Sequence, residues 1–295
     1  MLSRAGGTYR VHADGEVIEA SLRGRFKQKG RKRVLVGDEV EIASGEHGHT
    51  IEVILPRRSV LKRRSPGKSH GTRAVAANVD QVVVVGSVDQ PQWNPHLIDR
   101  FLAVAEVNGL PSVIVVNKCD LGADGDRRAE PYRLAGYGVL LTSVPRRDGI
   151  AELRERLEGR TSLFTGPTGV GKSSLLNALQ PGLRLRAEPV SGKAGVGRHT
   201  TVAAEMHPFG DRGYVVDTPG LRDVGLWGLE PLEVAGAFPE LARLAGDCRY
   251  DNCRHLGEPG CAIETAVNEG RMAASRLESY RRLLGETERA LRPWS

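Results

Sequence analysis

Eight consecutive residues, Gly166-Pro167-Thr168-Gly169-Val170-Gly171-Lys172-Ser173, place three glycines, a lysine and a hydroxyl at spacings suited to holding a chain of phosphates. They follow a short apolar run, Ser162-Leu163-Phe164-Thr165, and open a helical pattern, Ser174-Leu175-Leu176-Asn177-Ala178-Leu179. Strand, glycine-rich loop and helix are the context that a P-loop requires. The glycines let backbone N–H groups converge on an anion, and the helix N-terminus adds partial positive charge. Lys172 can reach the β- and γ-phosphates, and the Ser173 hydroxyl can bind the Mg²⁺ that bridges them. Ser174 completes the phosphate-binding stretch.

Asn117-Lys118-Cys119-Asp120 ends another apolar run, Ser112-Val113-Ile114-Val115-Val116, at the strand end where open α/β sheets bind ligands. A carboxylate at Asp120 can accept from guanine N1–H and the exocyclic amine together. Adenine offers neither donor there and leaves the carboxylate unpaired, which is how a polar site discriminates strongly. The Lys118 stem can pack along the base. After the next strand, Gly138-Val139-Leu140-Leu141-Thr142, Ser143 is suited to offer a backbone N–H to guanine O6.

Asp217-Thr218-Pro219-Gly220 also follows a strand: Asp217 can hold Mg²⁺ through water, and the Gly220 N–H can bind a γ-phosphate. Thr200 or Thr201 could supply a second hydroxyl to Mg²⁺, and their glycine-rich approach, Ser191 to Gly197, suits a loop that closes over a triphosphate. In the common GTPase layout the P-loop comes first. Here Asn117–Asp120 and Ser143 precede it and Asp217–Gly220 comes last, so the domain is a circular permutation, tolerated because domain termini tend to lie close together.

A second kind of chemistry follows in Cys248-x4-Cys253-x-His255-x5-Cys261. Three thiolates and an imidazole make a closed tetrahedral zinc site of structural type, with no open ligand position and so no catalysis.

These groups need elements to position them. From Val75 to Leu221 strands and helical patterns alternate, the mark of an α/β sheet. Residues 1–66 read instead as short strands between Gly/Asp turns: Tyr9–Ala13 and Glu16–Ser21 around Asp14-Gly15, then Arg33–Val36, Glu39–Ala43 and Thr50–Leu55. That is a small β-barrel of OB-fold size, a nucleic-acid-binding scaffold. Within it Arg23 to Arg33 holds seven cations around Phe26, a loop suited to phosphate contact and base stacking. Residues 1–75 carry 16 Lys/Arg against 8 Asp/Glu, while the remaining 220 sum to −2, which points to a polyanionic partner for the N-terminal part. Pro56 to Arg73, rich in Pro, Gly, Ser and cations, reads as a linker. From Leu226 the pattern is helical. Leu277, Tyr280 and Leu284 mark the packed face of a last helix, with Arg276, Arg281, Arg282 and Arg289 expected mainly on its solvated side.

The expected architecture is therefore multidomain. It comprises an OB-fold barrel (1–66), a basic linker (67–74), a permuted α/β P-loop GTPase domain (75–225) and a C-terminal α-helical zinc-binding domain (226–295). No apolar run suits a membrane span and the N-terminus lacks a signal-peptide core, so a cytoplasmic location is expected; the chain is also expected to be a monomer.

Taken together, the basic β-rich N-terminal part, the permuted motifs and the Cys248/Cys253/His255/Cys261 knuckle resemble the ribosome small-subunit-dependent GTPase family over nearly the whole chain. The resemblance implies hydrolysis of GTP to GDP, stimulated by the small ribosomal subunit and its rRNA. It further implies a late role in that subunit's maturation, with release of assembly factors. Many GTPases place a water-orienting glutamine just after the D-x-x-G motif; here Leu221 stands there and cannot do so. The family's substitute is a histidine in the first switch, which His199 matches in Gly197-Arg198-His199-Thr200-Thr201. Catalytic roles are thus expected of His199, Lys172, Thr200 and Thr201. Two other classes fit parts of the chain. Leu221 would suit a GTP-gated rRNA-binding adaptor with negligible hydrolysis of its own, and the P-loop alone would suit an ATP-dependent enzyme, against which Asn117–Asp120 argues.

Overall fold

The structure, a computed structural model, describes residues 1–24, 33–46, 48–64, 72–183, 204–217 and 229–291. His199, Thr200, Thr201, Gly220 and Leu221, and most of the basic loop after Arg23, lie outside these residues.

The N-terminal sheet contains β1 (Ser3–Ala5), β2 (Thr8–Ala13), β3 (Glu16–Leu22), β4 (Val40–Gly45) and β5 (Gly48–Ile54) in the order β1-β2-β3-β5-β4. All neighbours are antiparallel except β3 and β5, which run parallel. Five short strands in this partly open arrangement make the OB-type barrel. Asp14 and Gly15, at φ 52° and 82°, form the two-residue turn between β2 and β3, both in the left-handed region that a type I′ hairpin needs.

Two expectations fail here. Arg33–Val36 is not a strand: Val34, Leu35 and Val36 are buried, but among the described residues the run's one ladder contact is a single bridge from Val36 to Ala76. The stretch read as a linker holds an antiparallel hairpin, β6 (Val60–Arg64) with β7 (Thr72–Ala77). Three of the five residues of β6 are cations and β7 is mostly small residues, so neither strand shows the apolar alternation that would mark it.

The central sheet runs β10-β9-β8-β11-β13-β12, from β8 (Gln81–Ser87), β9 (Ser112–Asn117), β10 (Gly138–Leu141), β11 (Thr161–Thr165), β12 (Glu205–Phe209) and β13 (Gly213–Asp217). Every pair is parallel except edge strand β12 with β13. β8 is buried along its whole length, as a central parallel strand covered on both faces must be. Helices α1 (Pro95–Val107) and α2 (Gly125–Ala135) cover the face bearing Val82, Val84, Ile114 and Val116; α3 (Ile150–Leu157) and α4 (Lys172–Leu179) cover the face bearing Val83, Val85, Val113 and Val115. Strand order reverses between β8 and β11, which opens a crevice at their carboxyl ends.

The barrel docks on the far edge of this sheet. Met206 N donates to Leu2 O at 2.9 Å, His12 Nδ1 and Tyr214 Oη lie 2.9 Å apart, and the barrel core continues into Met206 and Val216.

Helices α5 (Pro231–Val234), α6 (Pro239–Leu244), α7 (Ala262–Asn268) and α8 (Ala274–Leu291) enclose a third core around Phe238, Leu241, Ile263, Tyr280 and Leu283, joined by Ala103 of α1. Arg276 corrects the reading of α8. It is 1% exposed, with Nη1 2.6 Å from Asp99 of α1 and Nε and Nη2 at 2.6 and 3.1 Å from Glu240 of α6. The rings of Phe238, Tyr132 and Tyr137 surround its guanidinium at 4.5, 5.6 and 5.6 Å. Among the described residues, no helix is long and apolar enough to cross a membrane.

Candidate functional site

The sheet delivers its polar motifs to one edge. Asn117 ends β9, Ser143 lies just past β10, Gly166 follows β11 and Asp217 ends β13, all at carboxyl ends. Asp217 is registered against Phe164, two residues ahead of Gly166.

The loop 166–171 turns through glycines: φ is 135° at Gly166, 83° at Gly169 and 98° at Gly171. A Cβ at Gly171 would stand 2.4 Å from Asn117 Nδ2, and one at Gly166 would stand 2.1 Å from Val85 O. Side chains are thus excluded by backbone conformation and space together. Lys172 and Ser173 form the first turn of α4, whose apolar side (Leu175, Leu176, Leu179) anchors the helix and aims its N-terminus at the crevice. The Lys172 ammonium lies 2.7 Å from both Gly166 O and Pro167 O, spanning the mouth of the loop.

Asn117 ties this loop to the base-reading motif. Its Nδ2 donates to Val170 O at 2.9 Å, and its Oδ1 accepts from Thr142 Oγ1 at 2.9 Å. The amide is 2% exposed and its two bonds link β9, β10 and the P-loop. Ser143 Oγ donates to Asp120 Oδ1 at 2.6 Å and holds that carboxyl below its usual value of 3.8. Asp120 is therefore a carboxylate acceptor at neutral pH. Burial lowers the Lys118 ammonium, while Asp120 and Asp89 oppose the shift. Residues missed in the sequence reading also converge here. Arg146 caps Ser143 Oγ through its backbone N–H at 3.3 Å, and the Gln90 carbonyl accepts from Lys118 Nζ. Backbone acceptors carry no side-chain signal, so the second could not have been read.

The cysteine–histidine cluster forms as expected. Ligand atoms of Cys248, Cys253, His255 and Cys261 all lie within 4.8 Å of one another. His255 Nδ1 is 3.7 Å from Cys248 Sγ and 3.4 Å from Cys261 Sγ. A tetrahedron with Zn–S of about 2.3 Å has edges of about 3.8 Å, so a donor set of this size and type suits a zinc ion. Burial, with Cys261 and Cys248 beside it, pushes the Cys253 thiol up to about 12. Burial also keeps His255 neutral, the form that ligates. A divalent cation is what would let such thiols ionise together. Glu258, unnoticed in the sequence, accepts from Arg254 N at 3.0 Å and Leu256 N at 2.7 Å and stands 3.7 Å from Cys253 Sγ, fixing the loop between the ligands. Tyr280 Oη and Arg281 Nε of α8 donate to the carbonyls of Arg254 and His255, at 2.9 and 2.8 Å.

A P-loop at the switch point of a parallel sheet, a carboxylate-bearing N-K-x-D strand end ahead of it in sequence and an Asp-bearing strand end after it define a circularly permuted P-loop GTPase. It carries a β-barrel before it and a cysteine–histidine helical module behind. The comparisons with known proteins agree. The RsgA GTPase family model matches residues 54–227, and the RsgA N-terminal domain model matches residues 2–51. The chain belongs to the RsgA GTPase family and is a GTPase, a hydrolase acting on GTP, with GDP and Mg²⁺ implied alongside.

Among relatives, the small ribosomal subunit biogenesis GTPase RsgA of Gemmatimonas aurantiaca is 47% identical over 289 residues, covering 95% of this chain and 94% of its own. The protein of the same description from Moorella thermoacetica is 44% identical over 288 residues, covering 97% and 96%. Of solved structures, YjeQ from Thermotoga maritima is similar with a TM-score of 0.79 at 36% identity, over 97% of this chain and 96% of that one. YloQ, described as a circularly permuted GTPase, is similar with a TM-score of 0.74 at 29% identity, over 98% and 94%.

Proposed function

We propose that this chain is a cytoplasmic GTPase of small-ribosomal-subunit maturation, stimulated by the small subunit and its rRNA and acting in the release of assembly factors. The observation that carries the nucleotide reading is the Asn117 bridge, which sets Asp120 and the P-loop in fixed relation around one crevice. The relatives' printed names carry the ribosomal part.

In this reading the barrel of residues 1–66 meets rRNA, residues 75–225 turn over GTP, and residues 226–295 form the zinc module. Backbone N–H groups of Gly166 to Ser174 cradle the phosphates and Lys172 leaves its carbonyl partners for the β- and γ-oxygens. Asp120 reads the guanine edge, Ser143 offers its N–H to O6, and the Lys118 stem covers the ring. Ser173 and Asp217 would hold Mg²⁺, with Thr200 or Thr201 supplying another oxygen, and a bound Mg²⁺ would supply positive charge to the phosphates. Gly220 offers its N–H to the γ-phosphate. His199 positions the attacking water, because Leu221 offers no hydrogen bond to it. Cys248, Cys253, His255 and Cys261 hold one structural zinc.

Steady-state GTP hydrolysis, measured alone and with purified small or large subunits, tests this. A large rise with small subunits only is expected, and His199→Ala should abolish most of it. No rise with either subunit would favour the GTP-gated adaptor, and full stimulated turnover by His199→Ala would remove the histidine from the chemistry.

A further inference from the structure

The segment between β8 and α1, residues 88–94, has no part in the motif-based reading, yet it is built onto the base-reading strand end. Lys118 Nζ donates to Gln90 O, and both residues sit in the left-handed region, at φ 61° and 53°. Non-glycine residues adopt that conformation only where their surroundings dictate it, and such positions cluster at ligand sites.

Three contacts do the dictating. Val88 N donates to Asn117 O at 2.9 Å, which seats the loop's start against β9. Ser87 Oγ, on a side chain buried at the end of β8, donates to Pro91 O at 2.7 Å and folds the tip back. Trp93 closes the loop by packing on Gly86, where a Cβ would stand 2.4 Å from the indole, and its ring meets the edge of Tyr132 at 5.9 Å. The outcome is a carbonyl aimed at an ammonium that is partly withdrawn from water.

We infer that Ser87 and Trp93 are positioning residues for guanine-nucleotide binding: they fix the 88–93 loop so that the Gln90 carbonyl holds the Lys118 side chain in the attitude that packs along the base. The inference rests on the reading of the Lys118–Asp120 crevice as the guanine pocket. A free lysine stem loses rotamer freedom when it is pressed onto a ring; one already tethered loses less, and affinity gains accordingly.

The test is nucleotide binding to the full-length protein, followed with fluorescent GDP and competing IDP, which lacks the exocyclic amine. Ser87→Ala is expected to weaken GDP and IDP by the same factor, about 3–10-fold, mainly through faster release. The equal factor is the signature of a role at the ring's face, because Asp120→Ala should penalise GDP, which gives Asp120 both N1–H and the exocyclic amine, more than IDP, which gives it N1–H alone. Trp93→Phe, which keeps an apolar plug, should show a smaller loss of the same kind. In a Lys118→Met background, Ser87→Ala should change nothing further.

Wild-type affinity in Ser87→Ala, or an undiminished loss in the Lys118→Met background, would overturn the inference even if melting temperature fell. Absence of any preference for GDP over ADP in the wild type would instead overturn the guanine pocket, and this inference with it.

Discussion

Asp120 concentrates what the crevice can discriminate. Its carboxylate is an acceptor on both oxygens and matches the two donors on the guanine edge, whereas an amide at the same place offers a donor where the exocyclic amine would point. Asp120→Asn should therefore weaken GTP by about 10²–10⁴-fold, the worth of two charge-assisted hydrogen bonds, and improve binding of XTP, which presents a carbonyl there. Competition between GTP and XTP in a binding assay checks both directions. Ser143 tunes the same group: its hydroxyl, 2.6 Å away, favours the charged form and holds the carboxyl below 3.8. The sign follows from linkage: stability supplied by the depressed carboxyl is complete above the unfolded value and lost as pH falls through the folded one. In Ser143→Ala the Asp120 titration, followed by carboxyl ¹³C NMR, should move up toward 3.8. An unchanged midpoint would detach Ser143 from the carboxylate.

At the scale of elements, Arg276 decides how the C-terminal helices attach. It carries a buried charge from α8 into α1 and α6, facing Asp99 and Glu240 together. Arg276→Ala would leave two buried carboxylates facing each other, at a cost of about 3–5 kcal/mol. A lowered melting temperature should accompany this, with partial recovery in the triple variant Arg276→Met, Asp99→Leu, Glu240→Leu, whose buried groups need no partner. The same residue shows where reading by pattern ends. P-loop, N-K-x-D and the metal ligands were legible because their chemistry fixes residue types at fixed spacing, and the sheet was legible from the apolar runs of β8, β9 and β11. Arg276 was not: periodicity assigns an arginine to water, and only tertiary charge pairing and three surrounding rings reverse that. β1 was too short to signal, and the cations of β6 and the small residues of β7 hid their pairing. Val34–Val36 sent the opposite false signal, an apolar run that is buried yet makes a single bridge rather than a strand. The Gln90 contact to Lys118 lay beyond sequence because its acceptor is a backbone carbonyl.

Over the whole molecule, α8 is the member that joins the cysteine–histidine knuckle to the nucleotide-binding body. Tyr280 and Arg281 grip the knuckle's carbonyls, while Arg276 and Glu286 reach Asp99, His96 and Arg100 on α1. These two attachments differ in what sustains them. The body-side contacts belong to a core with Phe238, Leu241 and Leu283, large apolar groups that need no metal to pack. Residues 248–261 expose Tyr250 and Leu256, and a cation held by the four clustered ligands would supply order that their own apolar cover does not. Chelation should therefore loosen the molecule in sequence rather than all at once. Hydrogen exchange should rise first across 248–262, while α1, α6 and the first turns of α8 keep their protection and GDP affinity stays within about twofold, as expected for sites without shared partners. Loss of subunit-stimulated turnover with GDP binding intact would then assign the knuckle to the partner-facing side of the molecule. A single cooperative loss of protection through α1 and the sheet would show instead that zinc holds the body together, and that the Arg276 cluster does not suffice to anchor α8 by itself.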